Sequence, residues 1–183
     1  MAFWTEQTNE PKRNYRFLVQ ITGLGENDVQ WWAKSFKVPS YTVGEATHDF
    51  MDNKYYFPGR VTWEECTMEL VDPVTPNALE LTNQMIIDSG YNIKPEPSSQ
   101  NFTPVTISKQ NAATGIGSII VSVYAADGSV IEQWTLKNPF VKGVSFSDLS
   151  YENDDLRTIT VTFRYDWAVC DNTGAGGTEQ FTV

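Results

Sequence analysis

In 183 residues the chain has one histidine, His48, and two cysteines, Cys66 and Cys170. A Ser-His-Asp relay would have to run through His48, which sits between Thr47 and Asp49 in a polar stretch. A zinc site needs more ligands than one histidine and two distant cysteines supply. The cysteines form neither a disulfide scaffold nor a C-x-x-C site. Both fall in strand-like runs and read as reduced, buried small hydrophobes, as in a chain made in a cytoplasm. Basic residues are scarce as well: 13 Lys and Arg stand against 23 Asp and Glu, a net charge of −10. Binding a phosphate backbone recruits cations, so this balance excludes a nucleic-acid reader. Excess acid keeps a protein soluble, and on a wall it would repel DNA and let it slide. No run approaches the roughly 18 apolar residues of a membrane helix. Met1-Ala-Phe-Trp-Thr-Glu lacks the basic region and apolar stretch of a secretory leader, so none is expected. Gly23-Leu24-Gly25 is too short for a dinucleotide loop, and Glu152-Asn153-Asp154-Asp155 lacks the positional pattern of a calcium loop. Glu64 and Glu65 would point to opposite faces of a strand and cannot cooperate. No catalytic residue, metal or cofactor is expected.

What is present is a globular composition, 40% hydrophobic and 20% charged, with 13% aromatics. Large aromatics suit β-rich surfaces and subunit interfaces, where each buries much area at low entropy cost. Residues 1–13 read as a polar arm in which Phe3 and Trp4 could anchor. Tyr15, Phe17, Val19 and Ile21 share one face of a first strand. After a turn at residues 23–28, a second strand at 29–38 with Trp31 and Trp32 is expected to pair with the first as a hairpin. Residues 41–58 read as a long hairpin turning at Asp52-Asn53, whose apolar residues do not settle on one face. A lone hairpin is marginal in water, so this one needs a surface to pack against. In 61–71, Val61 and Trp63 lie on the odd face and Cys66, Met68 and Leu70 on the even one, which predicts a β-bulge near Glu64-Glu65.

One helix is predicted over 76–89, with Thr75 as N-cap, Pro76 at the first position and Gly90 as the stop. Residues 91–101 read as a loop and 102–109 as a strand. Asp127-Gly128 between apolar runs predicts a tight hairpin of 118–125 with 130–137. A strand at 140–146 follows. In the last strand Ile159, Val161, Phe163, Tyr165 and Trp167 alternate with polar residues, as in an antiparallel strand with one buried side. The expected fold is mainly β: an antiparallel sandwich or barrel with one flanking helix. A single domain over 14–170 and a flexible tail over 171–183 complete the expected organisation.

Phe50-Met51-Asp52-Asn53-Lys54, then Arg60-Val61-Thr62-Trp63-Glu64-Glu65, then Thr67-Met68-Glu69-Leu70 resembles the signature of tail-tube proteins of contractile-tailed (myovirus) bacteriophages. Trp63 stands where the family usually has Phe, and Cys66 where it has Trp. Leu149–Asp155 leading into Thr158–Trp167 resembles the family's acidic loop and last strand, and Asn14-Tyr15-Arg16-Phe17 its first strand. The resemblance covers roughly residues 14–168. It implies a structural virion protein whose hexameric rings stack into the inner tail tube, a conduit for DNA ejection assembled in the host cytoplasm. Implied partners are other copies, the tail sheath, the baseplate tube initiator, the tail terminator, and a tape-measure protein and DNA in the lumen, with no membrane anchor. Phe50, Met51, Tyr55, Tyr56 and Phe57 are the expected inter-subunit contacts. Glu45, Asp49 and Asp52 are the expected lumen or ring-stacking acids. The alternatives are the tube of a bacterial contractile injection system, another tail part such as a baseplate tube initiator, a monomeric small-ligand β-barrel, and a hydrolase on a β-sandwich.

Overall fold

The structure, a computed structural model, describes residues 11–24, 33–75, 77–91, 106–152 and 154–172. Among the described residues ten strands run in order: β1 Phe17–Ile21, β2 Ala33–Phe36, β3 Tyr41–Phe50, β4 Asn53–Trp63, β5 Cys66–Val71, β6 Ile119–Tyr124, β7 Val130–Lys137, β8 Phe140–Phe146, β9 Thr158–Arg164 and β10 Trp167–Asp171. Helices α1 (Ala78–Asp88) and α2 (Lys109–Ile116) lie between β5 and β6. One antiparallel sheet has the order β1-β6-β7-β10 and a second has β2-β5-β9-β8, while β3 and β4 form a two-stranded ribbon of their own. The fold class is as expected, with two helices rather than one.

A period of two apolar residues builds the interior. Cys66, Met68 and Leu70 of β5 face Phe163, Val161 and Ile159 of β9, and none is more than 2% exposed. Val19, Ile119, Val121 and Leu136 of the other sheet join the same core, and Ala78 and Met85 of α1 close it. The Asp127-Gly128 turn forms as read: Gly128 takes φ +85, and Asp127 accepts from the Ser129 amide and hydroxyl at 3.0 and 2.6 Å.

Several local expectations are corrected. The first two strands are not a hairpin: β1 pairs with β6, and β2 pairs with β5 in the opposite sheet. Thr22–Leu24 make a single 3-10 turn there, held by hydrogen bonds with Ser118, and Gly23 lies directly under the end of α2. A Cβ on Gly23 would sit 2.2 Å from the Gly115 carbonyl oxygen, so only glycine permits this contact. The N-cap of α1 is Asn77, whose side chain accepts from the Leu79 amide at 2.9 Å, and not Thr75. Thr82, which satisfies its hydroxyl on the Leu79 carbonyl at 2.9 Å, is buried with Ala78 and Met85. Lys109, expected at the end of a strand, instead opens α2, where Ser108 caps the Asn111 amide at 3.1 Å and Gly117 stops the helix at φ +69. The arm residues 1–10, the turn residues 25–28, Trp31, Trp32, Pro76, the loop residues 92–101, residues 102–105, Asn153 and the tail 173–183 lie outside the described residues.

The largest correction concerns the last strand, which is two. β9 ends at Arg164 in one sheet and β10 begins at Trp167 in the other. Tyr165 is still buried, but Trp167 is 41% exposed, and Ala168 and Cys170 take the inward positions. Asp166 pins the crossover. Its carboxylate receives Lys109 Nζ at 2.7 Å and Asn138 Nδ2 at 2.9 Å, and its amide donates to the Lys137 carbonyl at 3.1 Å. Hydrogen bonds from Lys109, then Asn138, hold the Asp166 carboxyl below the ordinary carboxylate range. A depressed carboxylate contributes stability above its unfolded pKa and loses it as pH falls through the folded value. Asp166→Asn is expected to cost on the order of 0.5–1 kcal/mol at pH 7, since both partners are partly solvated, and less at pH 2, where protonation of the wild-type carboxylate has begun to remove the same interaction. Urea unfolding at the two pH values checks this.

A candidate assembly ribbon

The ribbon β3-β4 is the part of the chain that its own fold leaves unfinished. Every residue of β3, and every residue of β4 before Trp63, is exposed. A two-stranded ribbon with both faces in water has little to hold it beyond its own cross-strand pairs. Yet it carries Phe50, Tyr55 and Phe57 at 55, 49 and 55% exposure, Tyr56 at 63% and Met51 at 86%. The five expected contact residues are therefore exposed, and none belongs to the core.

The cross-strand register assigns each side chain to a face. Ala46↔Phe57, His48↔Tyr55 and Phe50↔Asn53 share one face near the tip. Thr47↔Tyr56 and Asp49↔Lys54 share the other, so Tyr56 is separated from its aromatic neighbours. Met51 takes φ +54 in the turn that closes the hairpin. Of the three acids, Glu45 and Asp49 lie on the Tyr56 face, Asp49 being 3.9 Å from Lys54, and Asp52 lies in the turn.

Between Val43↔Val61 and Glu45↔Pro58 the register slips. Gly59 and Arg60 together oppose Gly44, which makes a β-bulge there rather than at Glu64-Glu65. A Cβ on Gly59 would stand 3.0 Å from the Gly44 carbonyl oxygen, which explains a glycine at this crowded point. What the switch of face near Glu64-Glu65 marks is the end of the ribbon and the start of β5.

The root of the ribbon is anchored. Tyr41 meets Trp63 edge-on at 5.2 Å between ring centres, and Trp63 meets Tyr165 at 5.9 Å. The Glu64 amide donates to the Ser40 carbonyl at 2.8 Å. Glu65 binds Lys142 of β8 and lies 3.6 Å from Arg164 of β9. The Lys142 hydrogen bond, more than any other influence, lowers the Glu65 carboxyl pKa. Beneath this joint Cys66 is fully buried, and burial pushes its thiol up to about 11. Burial likewise raises the Tyr165 phenol.

Nothing at the ribbon is arranged for bond chemistry. His48 stands exposed across from Tyr55, and among the described residues no three His, Cys, Asp or Glu side chains converge to hold a metal. Fully buried side chains such as Phe163, Met68 and Leu136 fill the centre of the space between the sheets, and an open cleft of about 490 Å³ lies at its edge between Phe17, Phe36, Val121 and Val123. Sequence reading found the ribbon aromatics through their failure to fit one face. It missed the Gly59-Arg60 bulge, because Pro58-Gly59 reads locally as a break.

No family model and no curated protein sequence matches the chain. Solved structures do share its fold. A chain in the cryo-EM structure of the anti-feeding prophage tube-terminating cap matches with a TM-score of 0.64 at 16% identity, over 94% of this chain and 100% of that one. A chain in the sheath-tube complex of the PVC extracellular contractile injection system matches at 0.61 and 18% identity, over 94% and 99%. A chain in the anti-feeding prophage baseplate matches at 0.60 and 13% identity, over 88% and 95%.

Because the ribbon adds nothing to the core, Tyr55→Ser combined with Phe57→Ser is expected to shift the melting temperature of the unassembled subunit by less than about 2 °C. Circular dichroism melting checks it; a drop of about 8 °C or more would place these rings in the subunit's own packing.

Proposed function

We propose that the chain is a structural, non-enzymatic subunit of a contractile tail tube. Rings of six copies stack into an inner tube inside a sheath, and DNA with the tape-measure protein occupies the lumen until ejection. A baseplate initiator nucleates the tube and a terminator caps it. The particle is a virion tail, put together in the host cytoplasm. The observation that carries this reading is the exposed aromatic ribbon on a fold shared with chains of contractile injection assemblies. A monomer has no use for such a surface, and a ring covers it.

Closure of a ring also answers the edge problem of the sandwich. Among the described residues β1 and β10 end one sheet and β2 and β8 the other, each with one side unpaired. Edge-to-edge pairing between neighbours joins these sheets into one inner barrel. Phe50, Met51, Tyr55, Tyr56 and Phe57 supply the inter-subunit contacts, and Glu45, Asp49 and Asp52 line the lumen or face the next ring.

A second reading is favoured by the same structural likeness, since the matching chains come from injection systems. In that case the tube is bacterial and its cargo is protein. The discriminating observation is the particle that carries the chain: a DNA-filled head at one end supports the phage tube, and a headless particle supports the injection system.

Negative-stain electron microscopy with mass photometry of the purified protein tests the shared core of both readings. Hollow tubes or six-fold rings are expected. A species that stays monomeric at high concentration, even with its tube initiator supplied, would overturn them.

A further inference from the structure

The register of the ribbon splits its apolar surface into two patches on opposite faces. Toward the tip, Phe50, Tyr55 and Phe57 share a face with Ala46. On the other side of the bulge Val43↔Val61 and Tyr41↔Trp63 occupy the opposite face, because β3 alternates without interruption while β4 gains one residue. The same division is written into both strands. In β3 the large apolar residues shift from odd positions (Tyr41, Val43) to an even one (Phe50). In β4 they are odd (Tyr55, Phe57, Val61, Trp63) apart from Tyr56, and the Gly59-Arg60 bulge changes the face those odd positions take. Without that extra residue Val61 and Trp63 would not stand beside Val43 and Tyr41.

Tyr56 stands on the same face as the root patch, beyond the bulge, among polar neighbours. Behind the tip patch lie Glu45, Pro58, Thr47, Tyr56 and the Asp49–Lys54 pair, and behind the root patch Thr42, Gly44 and Thr62. A surface that covers the Tyr55-Phe57 patch therefore meets Gly44 and the Thr42–Thr62 hydroxyls when it slides past the bulge. Val43 and Val61 are each 53% exposed, so the subunit's own body leaves the root patch open as well. Eight large ribbon side chains from Tyr41 to Val61, about half exposed on average, leave on the order of 800 Å² of apolar surface. That is one partner's share of a standard stable interface, and neither patch reaches it alone.

We infer that each ribbon is gripped from both sides by two different copies of this chain, one seated on the Tyr55-Phe57 patch and the other on the Val43-Val61 patch. The inference rests on the tube reading and deepens it. One ribbon then links three subunits, and the bulge sets the two contacts facing away from each other. Neighbours on one face only would leave about half of the apolar surface in water.

A cryo-EM reconstruction of wild-type tubes reads the neighbours directly. Two double variants read the need for each patch: Tyr55→Ser with Phe57→Ser, and Val43→Ser with Val61→Ser. The expected reconstruction places the two patches against two different copies. Each double variant is expected to raise the concentration needed for assembly at least tenfold, with the melting of the free subunit unchanged. The inference is overturned if both patches touch the same copy, if either remains in solvent, or if either double variant assembles like the wild type. Should the wild type form no assembly, the tube reading itself fails and takes this inference with it; tubes with other contacts overturn the inference alone.

Discussion

One strand tie holds the two layers of this molecule together. The chain runs through the centre of one sheet as β9, turns at Tyr165-Asp166, and finishes as the edge of the other sheet in β10. Ile159, Val161 and Phe163 before the turn and Ala168 after it all belong to the same core. The turn therefore fixes the distance and angle at which the sheets meet. Lys109 from α2 and Asn138 from the β7–β8 turn both reach Asp166, so the second helix is registered to the same point. Tyr165, at the same turn, supports Trp63 at the root of the ribbon. Core, helix and ribbon thus share one reference position, and the direction of the ribbon is inherited from it.

The body and the ribbon divide the chain's aromatic and apolar residues in different ways. In β5 and β9, at the centre of the body, they alternate without a break and the inward ones are sealed. In the ribbon they change face at a bulge and stay in water. Burying a half-exposed aromatic contributes about 1–2 kcal/mol. A subunit that keeps several of them outside has left a large part of its hydrophobic stabilisation for contacts beyond itself. That is the physical content of the proposal that this chain is a part rather than a whole.

How much of this could be read from the sequence depended on whether the signal was local. β5, β9 and the β6–β7 hairpin were legible, because a two-residue period and an Asp-Gly turn are complete within a few residues. The ribbon was legible through its conflict, since Tyr55, Tyr56 and Phe57 follow one another in the chain and cannot all share one face of a hairpin. The partner of β1 was not, because pairing Phe17 with Val123 is a long-range choice that local pattern does not encode. The break at Tyr165-Asp166 hid inside an unbroken apolar alternation, and only the unequal burial of Tyr165 and Trp167 reveals it. Helix α2 is short and carries little apolar stripe; its one plain signal was Ser108 ahead and Gly117 behind. Thr75 and Asn77 are both good caps, and the sequence offers no means to choose between them.

The acid excess noted at the outset acquires a second meaning beside the open ribbon. Two free subunits, each at −10, meet first through their charge and only then through their aromatic surface. At physiological ionic strength that repulsion is screened beyond about 8 Å, close to the distance at which ribbon and neighbour begin to touch. The chain therefore carries a colloidal barrier against premature stickiness, and its height falls as salt is added. Spontaneous self-association is discouraged, while a template that already presents the matching surface in the right orientation can still capture subunits one at a time.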